Sequence, residues 1–394
     1  MQPSVGLVTV VMPVRDGGAW LAETVRAVAA QRGVRLQCIA VDDGSTDGSA
    51  TLLRRHGWTV LATDGVGPNI ARARGLTVAA GDMIAFLDQD DVWHPDHLAL
   101  GSRMLEAVPE APAVVARRVA FRGRCPPLGG RRLGPPTFDP WAVYPINVID
   151  APSMVLVRRG PLESAGGWPA DRRLGSDPLL WWRLSAAAPF ALLPRRTVGV
   201  RKSDRSFSAV SRERPLDYLR LLRAAAADAV ASRARGDGGA IETTGDRILA
   251  AVAAVVAAVI DGAGVAEPAA ALEAALDGAS DAMVVATVGF CGWLLSPHLR
   301  RPPAPADDPV ALLIDSWPVA AKRTRAAAMP MVGAVAGPWR TTASLAATRS
   351  GPRRLAVAGA AWAVAIAARC GRVTDPLDLP FGRPRGVAAV ESAR

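Results

Sequence analysis

Residues 85–93 read AFLDQDDVW, and three carboxylates, Asp88, Asp90 and Asp91, fall within four positions directly after an apolar run. Like charges this close raise one another's pKa. A chain that gathers them needs a cation or a hydrogen-bonding ligand to share. Carboxylate oxygens are hard donors, suited to Mg2+ or Mn2+. The alternative, an exposed acidic turn that caps the next helix, sits badly with a run that emerges straight from MIAFL. A second acidic cluster, VDDGSTD at residues 41–47, brings Asp42, Asp43 and Asp47. The histidines, His56, His94, His97 and His298, form no pair with ligand spacing. His94 and His97, just after the acidic loop, are expected at the surface.

The elements that must position these acids alternate. LVTVVMPV (7–14) is β-rich and apolar, as a buried parallel strand should be. Further strands are predicted at 36–43 (LQCIAVDD), 59–63 (TVLAT) and 83–88 (MIAFLD). Helices are predicted between them at 17–31, 47–57 and 69–81, the second capped by Ser45 or Asp47 and the third closed by Gly81. This alternation predicts an α/β domain with a mostly parallel, Rossmann-like sheet and helices on both faces. Ligands of such sheets lie beyond the carboxyl ends of the strands, where Asp42, Asp43 and Asp88 fall. Residues 109–145 are rich in Pro, Gly and Arg and read as a loop or excursion. A strand at 153–159 and a turn leading into a helix over 166–188 follow. From about residue 213 the chain reads as successive helices. The expected division is 1–212 for the α/β domain, 213–299 for an all-α domain, and 300–394 for a basic helical extension with a linker at 300–310 and a frayed tail.

The chain of 394 residues can bury a large core, and half of it is hydrophobic with about a fifth charged, as in soluble globular proteins. Cys38, Cys125, Cys291 and Cys370 are scattered without CxxC spacing, which argues against a disulfide framework or a structural zinc and suits a reducing cytoplasm. The N-terminus lacks a basic segment before its apolar run and reads as a strand, not a signal peptide. The longest uncharged apolar runs, 248–260, 282–295 and 355–368, fall short of a bilayer span and read as buried helices. The net charge is +10. Residues 300–394 carry 14 Lys/Arg against 6 Asp/Glu, either a compositional bias toward Arg or a face for an acidic partner or anionic membrane. No aromatic-interleaved basic motif points to nucleic acid.

Five segments in order resemble the family 2 glycosyltransferases, inverting enzymes of GT-A fold, over about residues 5–210. They are VVMPVRD (10–16), VDDGSTD (41–47), ARARGLTVAAGDMIAFLDQDD (71–91), GGWPADRRLGSDPLLWWRL (166–184) and VRKSDRSFS (200–208). The resemblance implies transfer of a sugar from a nucleotide diphosphate donor, most readily a UDP-sugar. It implies that Asp42 or Asp43 serves the base, in a pocket lined by Pro13, Val14 and Asp16, and that Arg72 lies near the nucleotide or its phosphates. Asp88 would contact the ribose, Asp90 would hold the divalent cation, and Asp91 would support the loop. Asp177, from the family's Glu-Asp pair, would be the general base, set at the start of a helix; the alternative is that it only caps that helix, with Pro178 at the first helical position. Arg201 and Lys202 would be phosphate partners. One of Trp93, Trp168, Trp181 and Trp182 would touch substrate.

Three positions depart from the family pattern: Ala73 stands for Asn, Ser176 for Glu and Ser203 for His. They motivate a rival reading, a non-catalytic glycosyltransferase-like binding scaffold. The acceptor could be a glycan, a lipid-linked glycan, a metabolite or a peptide, and the helical region could recognise it or mediate a homodimer. A third reading adds peripheral membrane contact through 300–394.

Overall fold

The computed structural model describes residues 6–131, 137–149, 151–172, 174–202, 214–232, 238–261, 263 and 266–277, with the single positions 283, 287, 290, 291 and 294. Ser203, the linker at 300–310 and the whole basic segment lie outside the described residues.

The strands are β1 (Leu7–Val14), β2 (Arg35–Asp43), β3 (Thr59–Thr63), β4 (Met83–Phe86), β5 (Val92–Trp93), β6 (Ala113–Phe121), β7 (Gly129–Arg131), β8 (Thr137–Phe138), β9 (Val155–Arg158) and β10 (Phe190–Arg201). They form one mixed sheet ordered β3-β2-β1-β4-β9-β6-β10-β5, with β7 and β8 also paired to β10. β1 runs parallel to both β2 and β4, and β10 parallel to β6. β9 is antiparallel to both β4 and β6, and the short β5, β7 and β8 are antiparallel to β10. β1 is buried from Val8 to Val14, which is why it reads as an uninterrupted apolar run.

Six helices accompany the sheet: α1 (Gly18–Ala29), α2 (Ser49–Arg55), α3 (Pro68–Leu76), α4 (His97–Ala107), α5 (Arg159–Ser164) and α6 (Ser176–Ser185). α1 buries Leu21, Thr24, Val25 and Val28, the i, i+3, i+4, i+7 stripe of an amphipathic helix. α2 starts at Ser49 behind the left-handed Gly48, which has no side chain to cap it, and Asp47 Oδ1 accepts from Ser49 N, the first N–H of the helix. α3 starts with Pro68 at its first position and ends at Leu76, five residues before the expected Gly81 cap. Gly81 is needed for space: a Cβ there would lie 2.6 Å from both Leu7 O and Thr9 N of β1.

The stretch 109–145, expected to be a loop, contains β6, a strand buried along most of its length. Two adjacent arginines, Arg117 and Arg118, sit within it and are each only 2% exposed, which broke the apolar pattern in the sequence.

Three further helices follow: α7 (Pro215–Ser232), α8 (Gly238–Ile260) and α9 (Ala266–Ala275). α7 packs on α6 and α8, and Arg223 pairs with both Asp246 oxygens at 2.8 and 2.9 Å. Ile248, Val252, Val255 and Val256 of α8 are buried, as its apolar run predicts. Among the described residues, no helix is long and apolar enough to cross a membrane.

Candidate active site

Strand order reverses at β1, with β2 on one side and β4 on the other. The crevice beyond the carboxyl ends of such neighbours is where α/β sheets bind ligands. Val14 pairs with Asp42 and Val11 with Phe86, so the ends of β1, β2 and β4 share this rim. It receives Asp16, Asp42, Asp43, Asp88, Asp90 and, from the start of α6, Asp177.

The first two loops are laced together. Asp16, at φ 45°, accepts from Thr46 N at 2.8 Å and donates its own N–H to Ser45 Oγ at 3.0 Å. Asp47 accepts from Gly18 N at 2.8 Å and from Ser49 N at 3.0 Å. Adjacent strand residues face opposite ways, and Asp42 and Asp43 part accordingly. Asp43 is buried and accepts from Thr63 Oγ1, Val66 N and Gly67 N, each at 2.8 Å. Burial raises its pKa, but these bonds to the charged form outweigh burial and hold it below the usual carboxylate range. Asp43 therefore ties down the turn into α3. Asp42 is half-buried, takes only Ser45 N at 3.2 Å, and keeps acceptor capacity at the rim. Pro13 and Val14 are buried beneath it.

The acidic loop after β4 is fixed on two sides. Gln89 accepts from Arg15 N at 2.9 Å and donates to Arg15 O at 3.0 Å, a two-point clamp to the end of β1. Thr24 Oγ1 of α1 lies 2.9 Å from both Gln89 O and Asp91 O. Asp88 N donates to Ser153 Oγ at 3.0 Å. Asp91 is buried and accepts from Arg201 N at 2.9 Å, the loop-supporting role expected of it. Burial first, and then the Asp88 and Asp90 charges, push the Asp91 pKa well up. Burial and the neighbouring Asp88 carboxylate likewise push Asp90 up to about 6. Among the described residues, no other side chain hydrogen-bonds the Asp90 carboxylate.

Arg72 links the two halves of the rim. Its side chain is 8% exposed, pairs with Asp88 at 2.5 Å, bonds Asn69 Oδ1 at 3.2 Å and lies 4.7 Å from the Trp168 ring centroid. Asp177, in the first turn of α6, is half-buried. The cap of that helix is Gly175 in the left-handed region, so Asp177 is not the cap and Pro178 is not the first helical residue. Burial is the main cause that pushes Asp177 up to about 7; Arg72 acts against it and Asp88 with it. Asn147 Nδ2 donates to Asp177 Oδ2 at 3.2 Å. No sequence motif pointed to Asn147.

Other expected residues stand elsewhere. Arg201 is 3% exposed and sits between Trp20 and Phe121, 4.0 and 4.5 Å from their ring centroids. It donates to Asp90 O at 3.0 Å and to Gly123 O, and pairs with Glu23 at 2.5 Å. Three of its five N–H donors are thus used by protein behind the acidic loop, and its side chain is 1% exposed. The four tryptophans expected to offer a substrate contact are core residues: Trp93, Trp168, Trp181 and Trp182 are 4% exposed or less. His97 is not at the surface but 3% exposed, bonded through Nδ1 to Thr197 Oγ1 at 2.8 Å, and its burial holds its pKa down at about 3.

Residues 9–164 match the family described as Glycosyl transferase family 2. The chain is 27% identical over 245 residues to the uncharacterized protein MT1568 of Mycobacterium tuberculosis, covering 56% of this chain and 76% of that one. It is 34% identical over 98 residues to the putative teichuronic acid biosynthesis glycosyltransferase TuaG of Bacillus subtilis, covering 23% of this chain and 39% of that one. Among solved structures, S. aureus TarS 1-349 in complex with UDP superposes with a TM-score of 0.50 at 15% identity, over 78% of this chain and 90% of that one. Residues 9–164 thus match a family 2 glycosyltransferase region, and the sheet with its flanking helices has the GT-A fold.

Proposed function

We propose that this chain transfers a sugar from a nucleotide diphosphate donor to an acceptor hydroxyl, with inversion, and that Asp177 is the general base. The observation that carries the reading is the placing of Asp177 at the same rim as Asp88, with Arg72 between them. Inversion by direct displacement needs a base across the sugar from the departing diphosphate. A half-buried carboxyl whose pKa has been pushed up to about 7 is matched to that task near neutral pH.

Asp42 is the proposed partner of the base of the nucleotide, since Asp43 is already committed to the turn into α3. Asp88, held by Arg72 at its carboxylate and by Ser153 at its backbone N–H, is the proposed partner of the ribose. A divalent cation fits the donor set: Mg2+ and Mn2+ are commonly held by one or two carboxylates plus substrate phosphates, not by a full protein cage. Among the described residues, no group of three or more His, Cys, Asp or Glu forms such a cage. Asp90, with Asp88 beside it, would hold the ion. When bound, the cation supplies charge stabilisation to the leaving diphosphate.

Calorimetric titration with UDP, GDP, dTDP and CDP, with and without Mn2+, tests the donor half. UDP leads the panel because TarS 1-349 is in complex with it. One nucleotide should bind tightly and more so with Mn2+. Asp177→Asn should then abolish transfer to any of the glycan, lipid-linked, metabolite or peptide acceptors while leaving nucleotide binding intact. Binding of none of the four would overturn this reading in favour of a non-catalytic scaffold.

A further inference from the structure

The chain segment that leads into β9 meets the rim at two points, Asn147 at Asp177 and Ser153 at Asp88 N. Ile146, Val148 and Ile149 on this segment are buried at 5% exposure or less, so its backbone is anchored in the core. Asn147, half-buried between them, turns instead to Asp177. Its carboxamide has one orientation. Oδ1 accepts from Ile149 N at 3.0 Å, closing a local turn, so Nδ2 is the end that faces the carboxylate. Nδ2 donates to Oδ2 of Asp177 at 3.2 Å. Among the described residues, no other side chain donates to Asp177.

We propose that Asn147 is the positioning residue of the Asp177 carboxylate, holding Oδ2 so that Oδ1 is the oxygen offered to the acceptor hydroxyl. This rests on Asp177 being the base. Without the bond, the carboxylate would be fixed only through its stem on α6 and could rotate both oxygens through the acceptor position. A donor aimed at a carboxylate also favours its ionised form. Removing Asn147 should therefore both free the carboxylate and raise its pKa, whereas a purely structural Asn147 would change only the stability of the fold.

The test reads the carboxyl itself and needs no substrate. Infrared spectra of the full chain are recorded across pH, and the Asp177→Asn spectrum is subtracted to isolate the protonated-carboxyl band of Asp177. In Asn147→Ala this band should titrate about one pH unit higher than in wild type, a tenfold change in acid constant. Asn147→Asp, of the same shape and able to keep the bond from Ile149 N, places a second carboxylate at hydrogen-bond distance. It should raise the Asp177 titration further and split it into two steps. An Asp177 band that titrates at the wild-type pH in both variants would overturn the proposal, whatever their melting temperatures. Failure of the base assignment is separate: it would show as transfer activity surviving Asp177→Asn.

Discussion

Replacing Arg201 with methionine separates two roles that the sequence leaves joined. Methionine keeps an unbranched apolar stem to fill the slot between Trp20 and Phe121, so what is lost is the guanidinium. Its bonds to Asp90 O and Gly123 O lie in a buried place, and each acceptor left unpaired costs roughly 1 kcal/mol. The Glu23 pair is discounted because that carboxylate is 31% exposed, and the two ring contacts add about 1 kcal/mol between them. The expected loss is about 3 kcal/mol. For a domain of this size that lowers the melting temperature of the ligand-free protein by roughly 6–12 °C. Thermal unfolding and UDP calorimetry on the same preparations decide the matter. A melting temperature within about 1 °C of wild type, together with a tenfold or greater loss of UDP affinity, would refute the reasoning and return Arg201 to the phosphates.

The remaining predictions use other parts of the molecule. If Asp177 is the base, kcat/KM should fall about tenfold per pH unit as pH drops below about 7, the value to which burial raises its pKa. The same raised pKa means that the folded state holds a proton the unfolded chain has released, so the contribution of Asp177 to stability is full below pH ~4 and lost as pH rises through about 7. Asp177→Asn should therefore unfold at a higher temperature than wild type at pH 8, by about 1–2 kcal/mol after allowance for the partial exposure of the group; no gain would contradict the shift. Gly75→Ala should destabilise despite the better helix propensity of alanine. Its Cβ would lie 2.5 Å from Val11 Cγ1 and 3.3 Å from Val41 Cγ2, an overpacking cost of roughly 1–3 kcal/mol measurable by denaturant titration. Asp90→Asn should abolish any Mn2+ enhancement of UDP binding while leaving metal-free binding within about threefold, as read by calorimetry.

This half of the candidate site was legible because β1 and β4 are buried along almost their whole length, β2 is buried toward its end, and acids follow them. β1 to β4 announce themselves as apolar runs, and Asp42, Asp43 and Asp88 mark their ends. The order of the two adjacent aspartates was not legible, since only the turn at Val66 and Gly67 reveals which one is spent on the fold. β6 was missed because two buried arginines interrupt it. β10 was missed because Pro194, Arg195 and Arg196 fall where its register to β6 shifts. His97 was misplaced because it follows the acidic loop closely in the chain, although α4 turns it inward to Thr197. Arg201 carried the motif but not the direction of its side chain. Asn147 had no motif, and its role depends on a contact 30 positions away in the chain.

The reversed direction of β9 has a consequence for how such a site can diversify. Because β9 runs against its neighbours, the chain passes through the rim before entering it: Asn147 and Ser153 both lie upstream of its first residue, Val155. The chain between the end of β6 and Ser153 is therefore a detour that touches the sheet again only through the short strands β7 and β8, both on β10, before it reaches Ser153. Lengthening such a detour costs little conformational entropy, about 0.6 kcal/mol per doubling. The stretches between these anchor points can thus change in length as well as in sequence, while the carboxylates that follow β1, β2 and β4 keep their places.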